Sequence, residues 1–121
     1  MIVGLGLDLV RVERATAMLA RHGERFLSRC FAPGEVVRPR DGEHVAGLLA
    51  AKEAAFKALG TGWDMGVGWR DVAVSRAASG APRLTLTGGA AARAAALGVR
   101  AAHLSITHDA GLAAAVVILE G

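Results

Sequence analysis

The stretch "LLAAKEAAFKALGTG", Leu48 to Gly62, constrains the fold more than any other part of the chain. A long helix is predicted from about His44 to Leu59, where Val45, Leu48, Leu49, Ala55, Phe56 and Leu59 recur at helical spacing to make one apolar face. Such a helix must be covered by another apolar layer, which the rest of the chain has to supply. At about 100° per residue, Lys52 falls at the centre of that face and Glu53 on its flank. Burying an unpaired ammonium costs on the order of several kcal/mol, so the lysine needs a reason. Two readings stand. Either Lys52 snorkels to the helix end, beside an ordinary Glu53–Lys57 surface pair worth about 0.3–0.5 kcal/mol, or these charges are held for a ligand.

The covering layer is read from the flanks. "MIVGLGLDLV" predicts a short buried strand stopping near Asp8, placed to cap a helix over Leu9–His22 that carries Leu9, Val12, Thr16 and Leu19 on one side and ends at Gly23. "ERFLSRCF" predicts another helical turn, Pro33 suits a helix start, and "RPRDGEH" is a loop. "GTGWDMGVGW" is too rich in glycine for a regular element and reads as a loop shaped close to a ligand or another chain. "RDVAVSR" and "RLTLT" are strands joined at "SGAP", "GGAAARAAALGV" is a helix, and "AAHLSITHDAGLAAAVVILEG" is a hairpin turning at "HDAG". The order β-α-α-β-β-α-β-β predicts an α+β fold, a mostly antiparallel sheet packed with a long central helix, as one domain over residues 1–121.

With 53% hydrophobic and 21% charged residues, disorder is excluded. No apolar run reaches the roughly 20 residues of a membrane span, and no basic segment precedes an apolar one at the N-terminus. Cys30 is the single cysteine, so the expected setting is a reducing one, the cytoplasm, with no membrane association. Arg11, Arg14, Met18, Arg21 and Arg25 recur at steps of three and four, a basic stripe in a chain of net charge +3. Alone, the stripe suits a solvated face or a small module that docks an acidic partner. Aromatic residues at 4% and no tyrosine argue against nucleic acid. "GLGLDL" lacks the third glycine of a dinucleotide fingerprint, and no βαβ unit follows it.

Asp8 at a strand end and Glu53 on the helix are two carboxylates from different elements, the usual donors for Mg²⁺ with phosphate oxygens completing the shell. Lys52 and Lys57 beside them would neutralise phosphate, which points to chemistry on a diphosphate.

"GLGLD", "AAKEAAFKALGTG" and "LSITHD", in this order and in a chain of this length, resemble the holo-acyl-carrier-protein synthases, the small bacterial class of 4'-phosphopantetheinyl transferases. The resemblance implies that family's fold and a Mg²⁺-dependent transfer of phosphopantetheine from coenzyme A to a serine of an apo acyl carrier protein, releasing adenosine 3',5'-bisphosphate, for fatty-acid or polyketide synthesis. It makes Asp8 and Glu53 the metal ligands and Lys57 the group that stabilises charge on the diphosphate. Lys52, Lys57, Gly62, Pro82, Ser105, Thr107 and His108 would surround coenzyme A. His108 with Asp109 is a candidate for deprotonating the serine, against a metal-bound water. The alternative is that Asp109 caps the hairpin turn and His108 lines the pocket. Arg14, Met18, Arg21, Arg25 and Phe26 fall where the family contacts its acidic carrier protein. The resemblance also implies a homotrimer with sites between subunits. One departure stands out: Leu48 replaces an arginine that lies near the phosphates in relatives, leaving Arg38, Arg40 and Arg83 to compensate. His44 and His103 read as ordinary surface or core residues.

Overall fold

The structure, a computed structural model, describes residues 1–61 and 66–121; Gly62 and the rest of 62–65 lie outside the described residues. Strand β1 (Ile2–Arg11) leads into helix α1 (Val12–Cys30) and then helix α2 (Gly42–Leu59). After a short 3-10 turn at Trp69–Asp71 come β2 (Val72–Arg76), β3 (Pro82–Leu86), α3 (Gly88–Leu97), β4 (Ala101–Asp109) and β5 (Leu112–Glu120). This is the expected order and class. Both sheets are antiparallel, one ordered β1-β5-β4 and the other a β2-β3 hairpin.

Helix α2 is the axis of the molecule. Asp41 caps its first turn, accepting from the backbone N–H groups of Glu43 and His44, and Gly60 closes it in the left-handed conformation at φ 70°. Because 13 of its 18 residues are buried, the single apolar face expected from the wheel is a correction: the helix is covered on nearly every side. Alanine makes this possible. Against β1 the approach is backbone to backbone, since a Cβ on Gly4 or Gly6 would collide with the carbonyl oxygens of Ala58 and Ala54. The glycines of "GLGLD" therefore serve helix–strand contact.

The other face of the three-stranded sheet is open. Leu5, Leu7 and Leu9 alternate outward and are 62%, 65% and 60% exposed, beside Val116 and Ile118 of β5.

Three local expectations are corrected. β1 continues to Arg11 because its ladder with β5 runs to the Arg11–Leu112 pair, so Asp8 lies within a strand and caps nothing, and Leu9 belongs to the sheet. Gly23 does not end α1; the chain kinks there at φ 45° and resumes as helix to Cys30. Pro33 starts no helix, because the carboxylate of Glu35 draws the segment into a buried polar cluster, accepting from the Ala32 and Val74 N–H groups.

Candidate active site

Lys52 is fully buried at 0% exposure. Its ammonium donates to Glu35 Oε1 at 2.8 Å, to the Trp69 carbonyl at 3.1 Å and to the Val72 carbonyl, and stands 5.2 Å from the centroid of Phe31. Burial pushes its pKa down while Glu35 opposes the shift. All three donors of the ammonium are thus used, so the expectation that Lys52 contacts coenzyme A phosphates is corrected. It ties α2 to the 32–36 loop and to β2. Sequence reasoning missed its partner, Glu35, whose only trace is an acidic residue after a "PG" turn, 17 positions away. Neither open reading of the charged triplet survives for Lys52.

One residue further round the helix, the arrangement differs. Asp8 points from β1 toward α2, and Lys57 Nζ donates to its Oδ1 at 3.0 Å and to the Leu7 carbonyl at 3.0 Å. Glu53 faces the same spot and meets Arg14 Nη2 at 3.5 Å. Burial and the neighbouring Asp8 push the Glu53 carboxyl up to about 7, with Arg14 opposing. The Lys57–Glu53 surface pair is replaced by Lys57–Asp8 and Arg14–Glu53. Asp8 Oδ2 is buried with no hydrogen-bond partner among the described residues. Two crowded carboxylates, one with an orphaned oxygen, form a hard-oxygen donor set suited to a divalent cation such as Mg²⁺.

The C-terminal motif is split by strand alternation. His108 projects to the inner face, where its Nδ1 meets Glu43 Oε1 at 3.3 Å, whereas Asp109 lies one position on and faces the opposite side. The proposed His108–Asp109 couple is therefore corrected: the carboxylate beside His108 is Glu43. Ser105 and Thr107 share the outer face with Leu7 and Val116, lining a shallow hollow there. His108 and Asp8 lie on strands separated by β5, about 10 Å apart from strand spacing alone. One chain does not bring them together. Pro82 pairs with Arg76 across the β2-β3 hairpin, away from Asp8.

Arg14, Arg21 and Arg25 are exposed along α1, and Met18 is half-buried. Phe26 is corrected as a surface contact. At 4% exposure it packs edge-on to Phe31, ring centroids 5.7 Å apart, and contributes to the lining of a cavity with Met18, His22 and Arg25.

Residues 4–117 match the family model of the 4'-phosphopantetheinyl transferase superfamily. A holo-acyl-carrier-protein synthase from Solidesulfovibrio magneticus is 50% identical over 123 residues, covering 100% of both chains, and one from a Methylobacterium species is 52% identical over 128 residues, covering 99% of this chain and 95% of that one. Among solved structures, the Helicobacter pylori holo-acyl-carrier-protein synthase in complex with coenzyme A superposes with a TM-score of 0.85 at 32% identity, covering 96% of this chain and 99% of that one. The Neisseria meningitidis synthase gives 0.87 at 29% identity over 100% of both chains. The chain belongs to the holo-acyl-carrier-protein synthase family of the 4'-phosphopantetheinyl transferase superfamily.

Proposed function

We propose that the chain transfers 4'-phosphopantetheine from coenzyme A to a serine of an acidic apo acyl carrier protein, with Mg²⁺ held by Asp8 and Glu53. The observation that carries this is the convergence of two carboxylates, one with an orphaned oxygen, and an exposed lysine where β1 meets α2. The serine hydroxyl gives its proton to a base, for which the His108 imidazole of a neighbouring copy or a water is the candidate, as its oxygen bonds to the β-phosphorus; the bond from that phosphorus to its bridging oxygen breaks, and the electron pair leaves on adenosine 3',5'-bisphosphate. Mg²⁺ supplies charge neutralisation for the diphosphate. Asp8 and Glu53 set its place, and Lys57, 58% exposed at its side chain, is free to turn toward the leaving phosphate. Arg14, Met18, Arg21 and Arg25 form the docking edge for the acidic carrier, with Arg14 joining that edge to Glu53. The half-buried Cys30 thiol, its pKa raised by burial, suits the reducing cytoplasm.

The active unit is a homotrimer. The open row Leu5, Leu7 and Leu9 is the face that two further copies would cover, and the separation of His108 from Asp8 makes sense if each site joins the His108 edge of one copy to the Asp8 edge of another. Ser105 and Thr107, on the outer face, would then meet the neighbouring copy. The test is the intact mass of apo acyl carrier protein after incubation with this protein, coenzyme A and Mg²⁺. A gain of one phosphopantetheine, lost with EDTA and with Glu53→Gln, is expected. A gain that persists in both controls would refute the metal role, and no gain with several carriers would leave docking without catalysis.

A further inference from the structure

The two cations at the Asp8–Glu53 centre are held in different ways. Lys57 belongs to α2 itself and has two partners, the Asp8 carboxylate and the Leu7 carbonyl, both at 3.0 Å. If Asp8 turned to another cation, Lys57 would keep the carbonyl. Arg14 reaches in from α1, and Glu53 is its one ionic partner among the described residues, at 3.5 Å. The Arg14 side chain is 55% exposed and that of Glu53 23%, so the carboxylate is the recessed member of the pair and the guanidinium stands at the lip.

The backbone beneath Arg14 is fixed. The Val12 N–H donates to the Gly111 carbonyl at 2.9 Å and Ala15 is fully buried. Thr16 lies so close to Gly42, at the start of α2, that a Cβ on that glycine would collide with Thr16 Oγ1. The kink at Gly23 comes about two and a half turns after Arg14. Arg14 therefore changes partner by side-chain rotation alone, which exposed side chains do on the fastest timescales of protein motion.

Two claims meet on that guanidinium. From inside, Glu53 needs a positive charge as long as nothing else supplies one. A divalent cation on Asp8 and Glu53 would take over that task and stand at close range to the charges of both Lys57 and Arg14. From outside, Arg14 heads the exposed row that Arg21 and Arg25 continue along α1, and an acidic partner lying on that row offers it a second carboxylate. A guanidinium binds one carboxylate well through its planar fork, so serving one claim weakens the other.

We propose that Arg14 is a shared cation that couples carrier docking to metal occupancy: it neutralises Glu53 while the docking edge is empty and passes to a carboxylate of the carrier on docking, leaving Glu53 to a divalent cation. This rests on the reading above, in which Asp8 and Glu53 hold Mg²⁺ and α1 receives the acidic carrier. Arg14 touches no reacting atom in this role; it is a positioning residue that acts on the centre through Glu53. Such coupling is reciprocal, so the factor by which the carrier tightens metal binding is the factor by which the metal tightens carrier binding. The centre is thereby completed where the acceptor serine arrives.

The experiment measures Mn²⁺ affinity by electron paramagnetic resonance with coenzyme A absent, since Mn²⁺ takes the same oxygen ligands as Mg²⁺. Wild type is compared alone and saturated with an apo carrier whose acceptor serine is replaced by alanine, after subtraction of what the carrier binds by itself. The carrier should tighten Mn²⁺ binding about fivefold or more, and Mn²⁺ should tighten carrier binding by the same factor in fluorescence anisotropy. Arg14→Gln should bind Mn²⁺ more tightly than wild type with no carrier present, and the carrier should add nothing further. Arg21→Gln weakens docking from outside the centre and should keep the full gain once the carrier is saturating. Glu53→Gln should weaken Mn²⁺ binding with and without carrier. Equal Mn²⁺ affinity of wild type in the two states, or a gain that survives Arg14→Gln, overturns the coupling while the metal reading stands. Mn²⁺ binding indifferent to Glu53→Gln overturns the metal reading and the coupling with it.

Discussion

Replacing Lys52 by methionine tests whether this lysine is a structural strut or a ligand contact. Methionine keeps most of the apolar stem, so the change removes the ammonium while opening little space. What is lost can be followed atom by atom. Glu35 keeps its two backbone donors, Ala32 and Val74, but loses the one cation paired with it among the described residues, while the Trp69 and Val72 carbonyls each lose a donor. Removing one member of a fully buried ion pair costs about 3–5 kcal/mol. For a domain of this size that corresponds to a fall in Tm of roughly 10–20 °C. The assay is urea denaturation at one fixed protein concentration, since subunit association would otherwise shift the midpoint. A cycle with Glu35→Gln and the double variant should return about 2 kcal/mol of coupling, because the second change relieves the stranded carboxylate. Well below the unfolding range, KM for coenzyme A should stay at its wild-type value. A stability loss under about 1 kcal/mol together with a raised KM would refute the strut and restore Lys52 as a phosphate contact.

Four further outcomes are expected. Gly6→Ala, whose Cβ would strike the Ala54 carbonyl, should destabilise by about 1–3 kcal/mol and lower activity through displacement of Asp8, read by denaturation and by the intact-mass assay. In metal-free protein, the Glu53 carboxyl binds its proton more tightly folded than unfolded, since its pKa rises from 4.5 to about 7. The folded state therefore holds more protons across that window, so stability should fall as pH rises from about 4.5 to 7, and Glu53→Gln should flatten the slope in the same titration. Leu7→Lys, on the open face of the sheet, should dissociate the oligomer in sedimentation velocity and remove activity with it; an active monomer would refute a shared site. Arg21→Glu should raise KM for the carrier protein and weaken its salt dependence while leaving KM for coenzyme A unchanged.

The fold was largely legible, because its elements announce themselves by period and punctuation. The long helix-forming run from about His44 to Leu59 marks α2, and the "HDAG" turn between two strand-length segments marks the hairpin. The errors share one cause: a local signal met a longer-range constraint. Asp8 looked like a helix cap until pairing with Ala115 carried the strand past it. Lys52 looked like a ligand group because its neighbour in sequence is Glu53, whereas its partner in space is Glu35. Asp109 looked like the companion of His108, yet neighbours in a strand face opposite ways. Asp8, Glu53 and Lys57 were legible because carboxylates and lysines near short motifs need only one helix–strand contact to meet.

The contact between the glycines of β1 and the alanines of α2 acts as a fixed gauge. No side chain stands between the two backbones at Gly4 and Gly6, so the gap cannot be adjusted by choosing another rotamer, as it is in most packed interfaces. The spread between Asp8 and Glu53 is therefore set by main-chain thickness. Enlarging any member of that contact should move the two carboxylates as a step, so their spacing should tolerate change almost anywhere in the chain except at these small residues.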